Sequence, residues 1–131
     1  MSNLPKMPPP VSDETKPFWD ATAEDKLVLP KCNNCGYIIW YPRQFCPECH
    51  TEGVSWVEAT GRGTVYARTI VRSGGFAQED YVAAYVELEE GPRIMTNVID
   101  CDPDTVSVGD PVVVSWDDTG QGPKLPRFKP A

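Results

Sequence analysis

The chain has 131 residues, enough for one ordinary domain with a small metal-stabilised module but too few for two large domains. Hydrophobic residues make up 40% of it and charged residues 24%, a composition typical of folded globular proteins and unlike that of disordered chains. The formal net charge of −7 repels nucleic-acid phosphates and anionic lipid, so it disfavours non-specific binding to either.

The first twelve residues are predicted to form an extended arm. Pro5, Pro8, Pro9 and Pro10 remove backbone hydrogen-bond donors and favour extended conformations. This stretch lacks the apolar segment of a secretory signal, and no part of the chain approaches the roughly 18 apolar residues that a membrane span needs. We therefore expect a cytoplasmic protein with no membrane contact, whose cysteines stay reduced.

A short helix is predicted next, with Ser12 or Asp13 as its cap and Pro17 in its first turn. Phe18 and Trp19 are adjacent on it, so the two side chains do not easily face the same core. An exposed aromatic side chain here would indicate a partner-binding surface, and Phe18 and Trp19 are our candidate interface residues. The alternative is that both cover this protein's own barrel. Arm and helix together are predicted to occupy residues 1–28.

Four of the five cysteines form two Cys-x-x-Cys pairs, Cys32 with Cys35 and Cys46 with Cys49, separated by ten residues. Two thiolates at this spacing reach one tetrahedral ion from a single turn, so the pattern predicts a Zn²⁺ site with four cysteine ligands. No coordination position remains open in such a site, which makes the predicted zinc structural and not catalytic. Iron in place of zinc, or a pair of redox dithiols or disulfides, is the alternative interpretation.

The remaining reactive residues do not suggest a catalytic group. His50, the single histidine, follows the second cysteine pair at the place where Gly36 follows the first, and a positive φ suits glycine better there. Cys101 has no histidine near it in sequence, so we expect a small, partly buried side chain and not a nucleophile. Carboxylates such as Asp117 lie at predicted strand ends, where solvated charge is expected. The sequence therefore predicts no catalytic constellation.

After Gly53 the sequence has the character of a β-protein. Gly61 and Gly63 indicate a bulge or sharp coil at the start of a long first strand, which a loop at 73–75 ends. Val82, Ala84 and Val86 alternate along the second strand and predict a buried face. The five predicted strands cover residues 61–71, 81–88, 93–99, 111–116 and 125–128.

A flat sheet of this size cannot bury one face, so we expect the strands to close into a barrel. The predicted fold is mainly β: an N-terminal helix, a four-cysteine zinc ribbon over residues 29–53, and a five-stranded OB-type barrel with a C-terminal tail over residues 54–131.

Several stretches, in their order along the chain, resemble a known family. They are the Phe-Trp-Asp helix at 18–20, the four-cysteine ribbon, and residues 61–66, 97–101, 108–112 and 125–128. Together they resemble the family called domain of unknown function thirty-five, which combines a rubredoxin-like zinc ribbon with an OB fold. The similarity covers nearly the whole chain from about residue 13.

The resemblance implies a non-catalytic accessory subunit that binds and supports a thiolase-like enzyme in lipid metabolism. The implied partner is a thiolase, a hydroxymethylglutaryl-CoA synthase-like enzyme, or an aldolase or lyase of steroid side-chain degradation. It also implies association with acyl-CoA, which makes a coenzyme A thioester an expected further ligand.

Two other functions are compatible with a zinc ribbon and an OB barrel. One is binding of single-stranded nucleic acid, since OB barrels often present aromatic side chains to bases. That function would require a shared groove for basic and aromatic residues, namely Arg62, Arg68, Arg72, Arg93, Tyr66 and Tyr81. The other is a self-sufficient thioesterase or hydratase, against which the absence of an activated base counts.

Overall fold

The computed structural model describes residues 4–72 and 77–131, and the predicted loop at 73–75 falls outside them. The described part contains one α-helix, seven strands and one 3₁₀ turn. In chain order these are α1 (Lys16–Thr22), β1 (Val28–Cys32), β2 (Val54–Glu58), β3 (Arg62–Val71), β4 (Tyr81–Leu88), β5 (Arg93–Val98), the turn Pro103–Thr105, β6 (Pro111–Asp118) and β7 (Lys124–Pro130).

Strands β3 to β7 form a closed five-stranded barrel in the order β3-β4-β5-β7-β6. All neighbours in it are antiparallel except β5 and β7, which are parallel and pair through Val98 and Phe128. The predicted OB-type barrel is confirmed. Strand β4 has the predicted limits, and β6 and β7 extend beyond theirs.

The barrel interior follows the predicted alternation. Val82, Ala84, Val86 and Leu88 of β4 are all buried, and they pack in one apolar cluster with Phe128 of β7. Residues between them on β4 point outward, because successive side chains of a strand point to opposite faces. Burial of this apolar surface is the main contribution to the stability of the barrel.

Gly61 and Gly63 allow the barrel to close around the start of β3. Gly61 has a φ of +81°, and a Cβ atom there would lie 2.7 Å from a methyl group of Val114. A Cβ atom on Gly63 would lie 2.5 Å from the carbonyl oxygen of Glu87. Both positions therefore exclude a side chain. The predicted bulge lies slightly later, because the register between β3 and β4 shifts at Tyr66.

A second, two-stranded sheet precedes the barrel. Strands β1 and β2 pair antiparallel, from Val28 opposite Glu58 to Cys32 opposite Val54. β1 was not predicted as a strand, and its Leu29 joins the main apolar cluster. Because β2 pairs with β1, residues 54–58 share a sheet with the start of the ribbon, and the boundary that we expect after Gly53 stays a prediction.

Helix α1 begins later in the sequence than predicted. It begins at Lys16 with Thr15 as the N-cap residue, so the prediction that Ser12 or Asp13 caps it is wrong. Ser12 instead forms a turn with Thr15, in which the Ser12 amide donates to the Thr15 hydroxyl at 3.0 Å. The helix begins just before Pro17 because proline lacks an amide hydrogen and fits only the first turn.

The prediction that the Asp117 carboxylate is exposed to solvent is wrong. Asp117 is fully buried, and Arg127 of the neighbouring strand β7 donates to its carboxylate at 2.5 Å. Arg127 is itself buried and also donates to the carbonyl oxygen of Pro5 at 2.7 Å. Arg127, held in place by Asp117, thus attaches the proline-rich arm to the barrel through its hydrogen bond to Pro5.

Candidate metal centre

The four predicted ligands lie at one place in the ribbon. The Sγ atoms of Cys32, Cys35, Cys46 and Cys49 are all within 4.8 Å of one another. The Sγ atoms of Cys32 and Cys49 are 3.6 Å apart, as are those of Cys35 and Cys46. Each close pair therefore joins one cysteine from each Cys-x-x-Cys turn.

These distances fit a tetrahedral metal ion and not a disulfide. Four sulfurs at about 2.3 Å from a central Zn²⁺ lie about 3.8 Å from one another. A disulfide requires about 2.05 Å between sulfurs, and all five cysteines are free. The residues present therefore fit the structural zinc that a four-thiolate site holds.

The two cysteine turns have the same backbone geometry. The amide of Cys32 donates to the carbonyl of Tyr37, and the amide of Cys46 donates to that of Thr51, each five residues ahead. Gly36 has a φ of +78° and His50 a φ of +62°, at equivalent places. A histidine therefore adopts the conformation that glycine adopts in the first turn, and the four-cysteine site holds without it as a ligand.

Sequence reasoning missed two side chains that contact the ligand sulfurs. The Thr51 hydroxyl lies 3.0 Å from the Cys49 sulfur, and the Asn34 amide donates to the same sulfur at 3.6 Å. The Thr51 and Asn34 hydrogen bonds lower the pKa of Cys49 to about 5. Such contacts orient a thiolate ligand and stabilise its charge. The signal available in the sequence was the hydroxyl group of Thr51, two residues after Cys49, which is close enough to contact its sulfur.

Cys35 shows the opposite effect. The Tyr37 amide lowers its pKa, but desolvation and the neighbouring cysteine sulfurs outweigh that hydrogen bond and raise the pKa to about 12. Four sulfurs this close cannot all carry negative charge without a compensating cation. A bound divalent cation removes this repulsion between thiolates, because its positive charge stabilises the deprotonated form of each ligand.

The candidate interface residues Phe18 and Trp19 are both buried within this chain. The Phe18 ring packs edge-on against Trp19 and Trp40, with centroids 4.8 and 5.5 Å apart, and the Trp19 Nε1 donates to the Tyr41 hydroxyl at 3.1 Å. The expectation that one of the two stays exposed is wrong, because the helix lies between ribbon and barrel and is covered from both sides. Their part in a partner interface stays a prediction.

The basic residues of the barrel strands do not form a free cationic groove. Arg62 pairs with Glu89 at 3.2 Å, and Arg93 pairs with Glu87 at 2.9 Å while lying over the Tyr66 ring. In the same way, Arg72 donates to Asp80 and Asp104, both at 2.9 Å. Arg68 forms no ion pair within residues 4–72 and 77–131. Carboxylates thus neutralise three of the four arginines.

Cys101 follows β5 and is half-buried. Desolvation and the nearby carboxylates of Asp100, Asp102 and Asp110 raise its pKa, which keeps the thiol protonated and weakens it as a nucleophile.

The chain belongs to the class of proteins in which a four-cysteine zinc-ribbon domain is followed by an OB-fold domain. Residues 19–55 match the family model described as the ChsH2 rubredoxin-like zinc ribbon domain, and residues 56–117 match that of the ChsH2 C-terminal OB-fold domain. A DUF35 domain-containing scaffold protein of Methanothermobacter thermautotrophicus is 36% identical over 90 residues, which span 66% of this chain and 68% of that protein. The chain belongs to the DUF35 family.

Two further proteins with similar sequences carry the names of enzymes or enzyme subunits. A probable enoyl-CoA hydratase alpha subunit of Thermomonospora curvata is 34% identical over 127 residues, 95% of this chain but only 40% of that longer protein. A solved structure named Ltp2-ChsH2(DUF35) aldolase contains a chain with 31% sequence identity and a TM-score of 0.85, over 94% of this chain and 98% of that one.

Among the helices that the structure describes, none has the length and apolar character needed to cross a membrane.

Proposed function

We propose that this protein is a non-catalytic accessory subunit that binds and supports a thiolase-like enzyme of the aldolase type. The observation that carries this proposal is the match to the Ltp2-ChsH2(DUF35) aldolase, in which the similar chain is almost entirely covered by the ribbon and barrel. That chain is part of an aldolase assembly and has no additional large domain to account for its presence there.

The site chemistry supports the same function. The ligand set is a closed four-cysteine site, and such a site stabilises a fold without offering a position to substrate. The single histidine is in the second cysteine turn, and the buried Asp117 is engaged by Arg127. The zinc is structural in this proposal, and catalysis belongs to the partner.

The class of substrate follows from the relatives. Proteins with similar sequences carry hydratase names that specify CoA thioesters, so the proposed complex acts on an acyl-CoA in the cytoplasm, with steroid side-chain degradation as the candidate pathway. A hydratase partner is the second candidate, because two longer relatives are named as hydratase alpha subunits.

The test is to co-express this chain with a thiolase-like protein of the same organism, and to purify each component alone and together. We expect a stable complex on size-exclusion chromatography, no turnover of acyl-CoA thioesters by this chain alone, and a loss of enzyme activity or solubility when it is omitted. Turnover by the isolated chain, or an enzyme equally active and soluble without it, would contradict the proposal.

Nucleic-acid binding is the competing function, and the paired arginines and the net charge of −7 count against it. We expect no measurable binding of single-stranded DNA or RNA at physiological salt, because the net negative charge repels the phosphate backbone. Fluorescence anisotropy with labelled oligonucleotides checks this, and tight binding with a steep salt dependence would favour the competing function.

A further inference from the structure

The outer face of the barrel carries an apolar surface that the fold does not use. The strand register places Ala67, Tyr85 and Met95 side by side in one row across β3, β4 and β5, with Thr69 and Ala83 in the next row. These five residues, here called the outer patch, line a shallow cavity of about 260 Å³ together with Arg68 and Ala84. Met95 is 69% exposed and Tyr85 48% exposed, although both are large and apolar.

Two exposed aromatic residues of the ribbon have partners within the chain. In the ribbon, Tyr41 accepts a hydrogen bond from Trp19 and its ring packs against Trp40, while the Phe45 ring lies 6.0 Å from His50. Met95 is more exposed than either of these rings, and the neighbours of Tyr85 at positions 67 and 83 are alanines, whose side chains are small. The outer patch is therefore shaped to receive an apolar side chain from outside.

The charges around the outer patch indicate what covers it. Beside it, Glu87 and Arg93 pair with each other at 2.9 Å, whereas Arg68, which lines the same cavity, has no ion pair within the described residues, so the rim carries one uncompensated positive charge. One arginine is too few for a nucleic-acid backbone, which is bound through several cations, but it can pair with a carboxylate on a protein surface. A second copy of this chain is also disfavoured, because each carries a net charge of −7.

We infer that the outer patch is the surface on which the proposed enzyme partner docks, through an apolar side chain inserted between Tyr85 and Met95. This inference rests on the proposed function. In the similar aldolase structure 98% of the matched chain is this same ribbon-and-barrel unit, so contact with an enzyme has to come from a surface of that unit. Among the exposed faces described above, the outer patch is the one that combines apolar side chains with a cavity.

The experiment measures binding of a purified thiolase-like enzyme of the same organism, with Met95→Glu compared against Met7→Glu. Met7 is 70% exposed and lies on the arm, so the two substitutions remove the same side chain at equal exposure and add the same charge. We expect Met95→Glu to weaken binding by about tenfold or more and Met7→Glu to leave it unchanged. Met95→Leu should bind like the wild type.

Thermal melting confirms that each variant is folded, and Tyr85→Ala provides a second truncation within the patch with the same expected loss of binding. If Met95→Glu and Tyr85→Ala bind like the wild type, the docking surface lies elsewhere while the accessory function stands. If the wild-type chain does not bind the enzyme, the proposed function fails and the inference fails with it. If the wild type is a dimer that Met95→Glu converts to a monomer, a second copy covers the patch and the inference is wrong.

Discussion

The ribbon and the barrel are stabilised by different means. The buried cluster around the cysteines consists of Cys32, Ile39 and Cys46, with Cys49 and Val54 packed against it, so three of these five residues are candidate metal ligands. The barrel instead shares one large apolar cluster with α1 and β1. The comparison indicates that metal binding stabilises the ribbon, because the ribbon segment is too short to bury a large apolar core of its own.

The largest expected effect is the loss of the metal. Cys46→Ala removes one ligand, and structural zinc contributes on the order of 10 kcal/mol to the folding of such a module, so we expect the ribbon to unfold and solubility to fall. Metal analysis should find about one zinc per wild-type chain and none in the variant.

Hydrogen exchange checks that the damage is confined to one region. The amides of β4 should keep their protection in Cys46→Ala, while those of residues 31–54 lose it. Cys101→Ala is the matched control, since it removes a cysteine outside the site and should leave zinc content unchanged. A thermal transition of Cys46→Ala identical to that of the wild type would show that the ribbon does not depend on its metal.

A core truncation in the barrel tests the other half of the comparison. Phe128 is fully buried, and Phe128→Ala should cost about 3–5 kcal/mol of unfolding free energy in a chemical denaturation experiment, with one zinc retained below the transition. Phe45→Ala is the control, because the Phe45 ring is 44% exposed on the ribbon and its loss should cost less than about 1 kcal/mol. Equal costs for the two would mean that the barrel core is not the main source of stability.

Trp19 connects the two regions and is expected to show an intermediate effect. Trp19→Ala should cost about 3 kcal/mol, while Trp19→Phe, which removes the hydrogen bond to Tyr41 and keeps most of the packing, should cost about 1 kcal/mol. Thermal melting and co-purification with the enzyme are measured together. A lost complex at an unchanged melting temperature would instead place Trp19 in the partner interface.

The smallest expected changes in stability come from substitutions at equivalent positions of the two cysteine turns. Gly36→Ala places a side chain at a φ of +78° and should cost about 1 kcal/mol, whereas His50→Gly removes one from a φ of +62° and should be close to neutral. Denaturation of the zinc-bound forms measures both. A large loss for His50→Gly would reveal a contribution of the imidazole that the turn geometry does not require.

The features predicted from the sequence are those encoded by local patterns. Two-residue spacing places both thiolates of a turn on one ion, and alternation along β4 gives its buried face directly, so the four ligands and the barrel follow from short stretches of sequence. The two glycines at the start of β3 likewise predict a bulge, which the structure places slightly later, between Val65 and Ala67.

The features that were missed depend on contacts between distant residues. The burial of both Phe18 and Trp19 requires ribbon and barrel on opposite sides of one helix, and Asp117 is buried only because Arg127 lies on the neighbouring strand. Strand β1 contains Pro30 and lacks a regular alternation, so its pairing with β2 is visible only in three dimensions. Local sequence carries no signal for these arrangements.

The hydrogen bond from Arg127 to Pro5 has a practical consequence for shortened versions of this protein. It joins residues 122 positions apart, and its donor is a guanidinium that is buried with the arm in place. Trimming the proline-rich arm to improve crystallisation deletes the acceptor and opens that guanidinium to solvent, so the cut at one terminus is felt in the last strand. Expression tags are better joined ahead of the arm than put in its place.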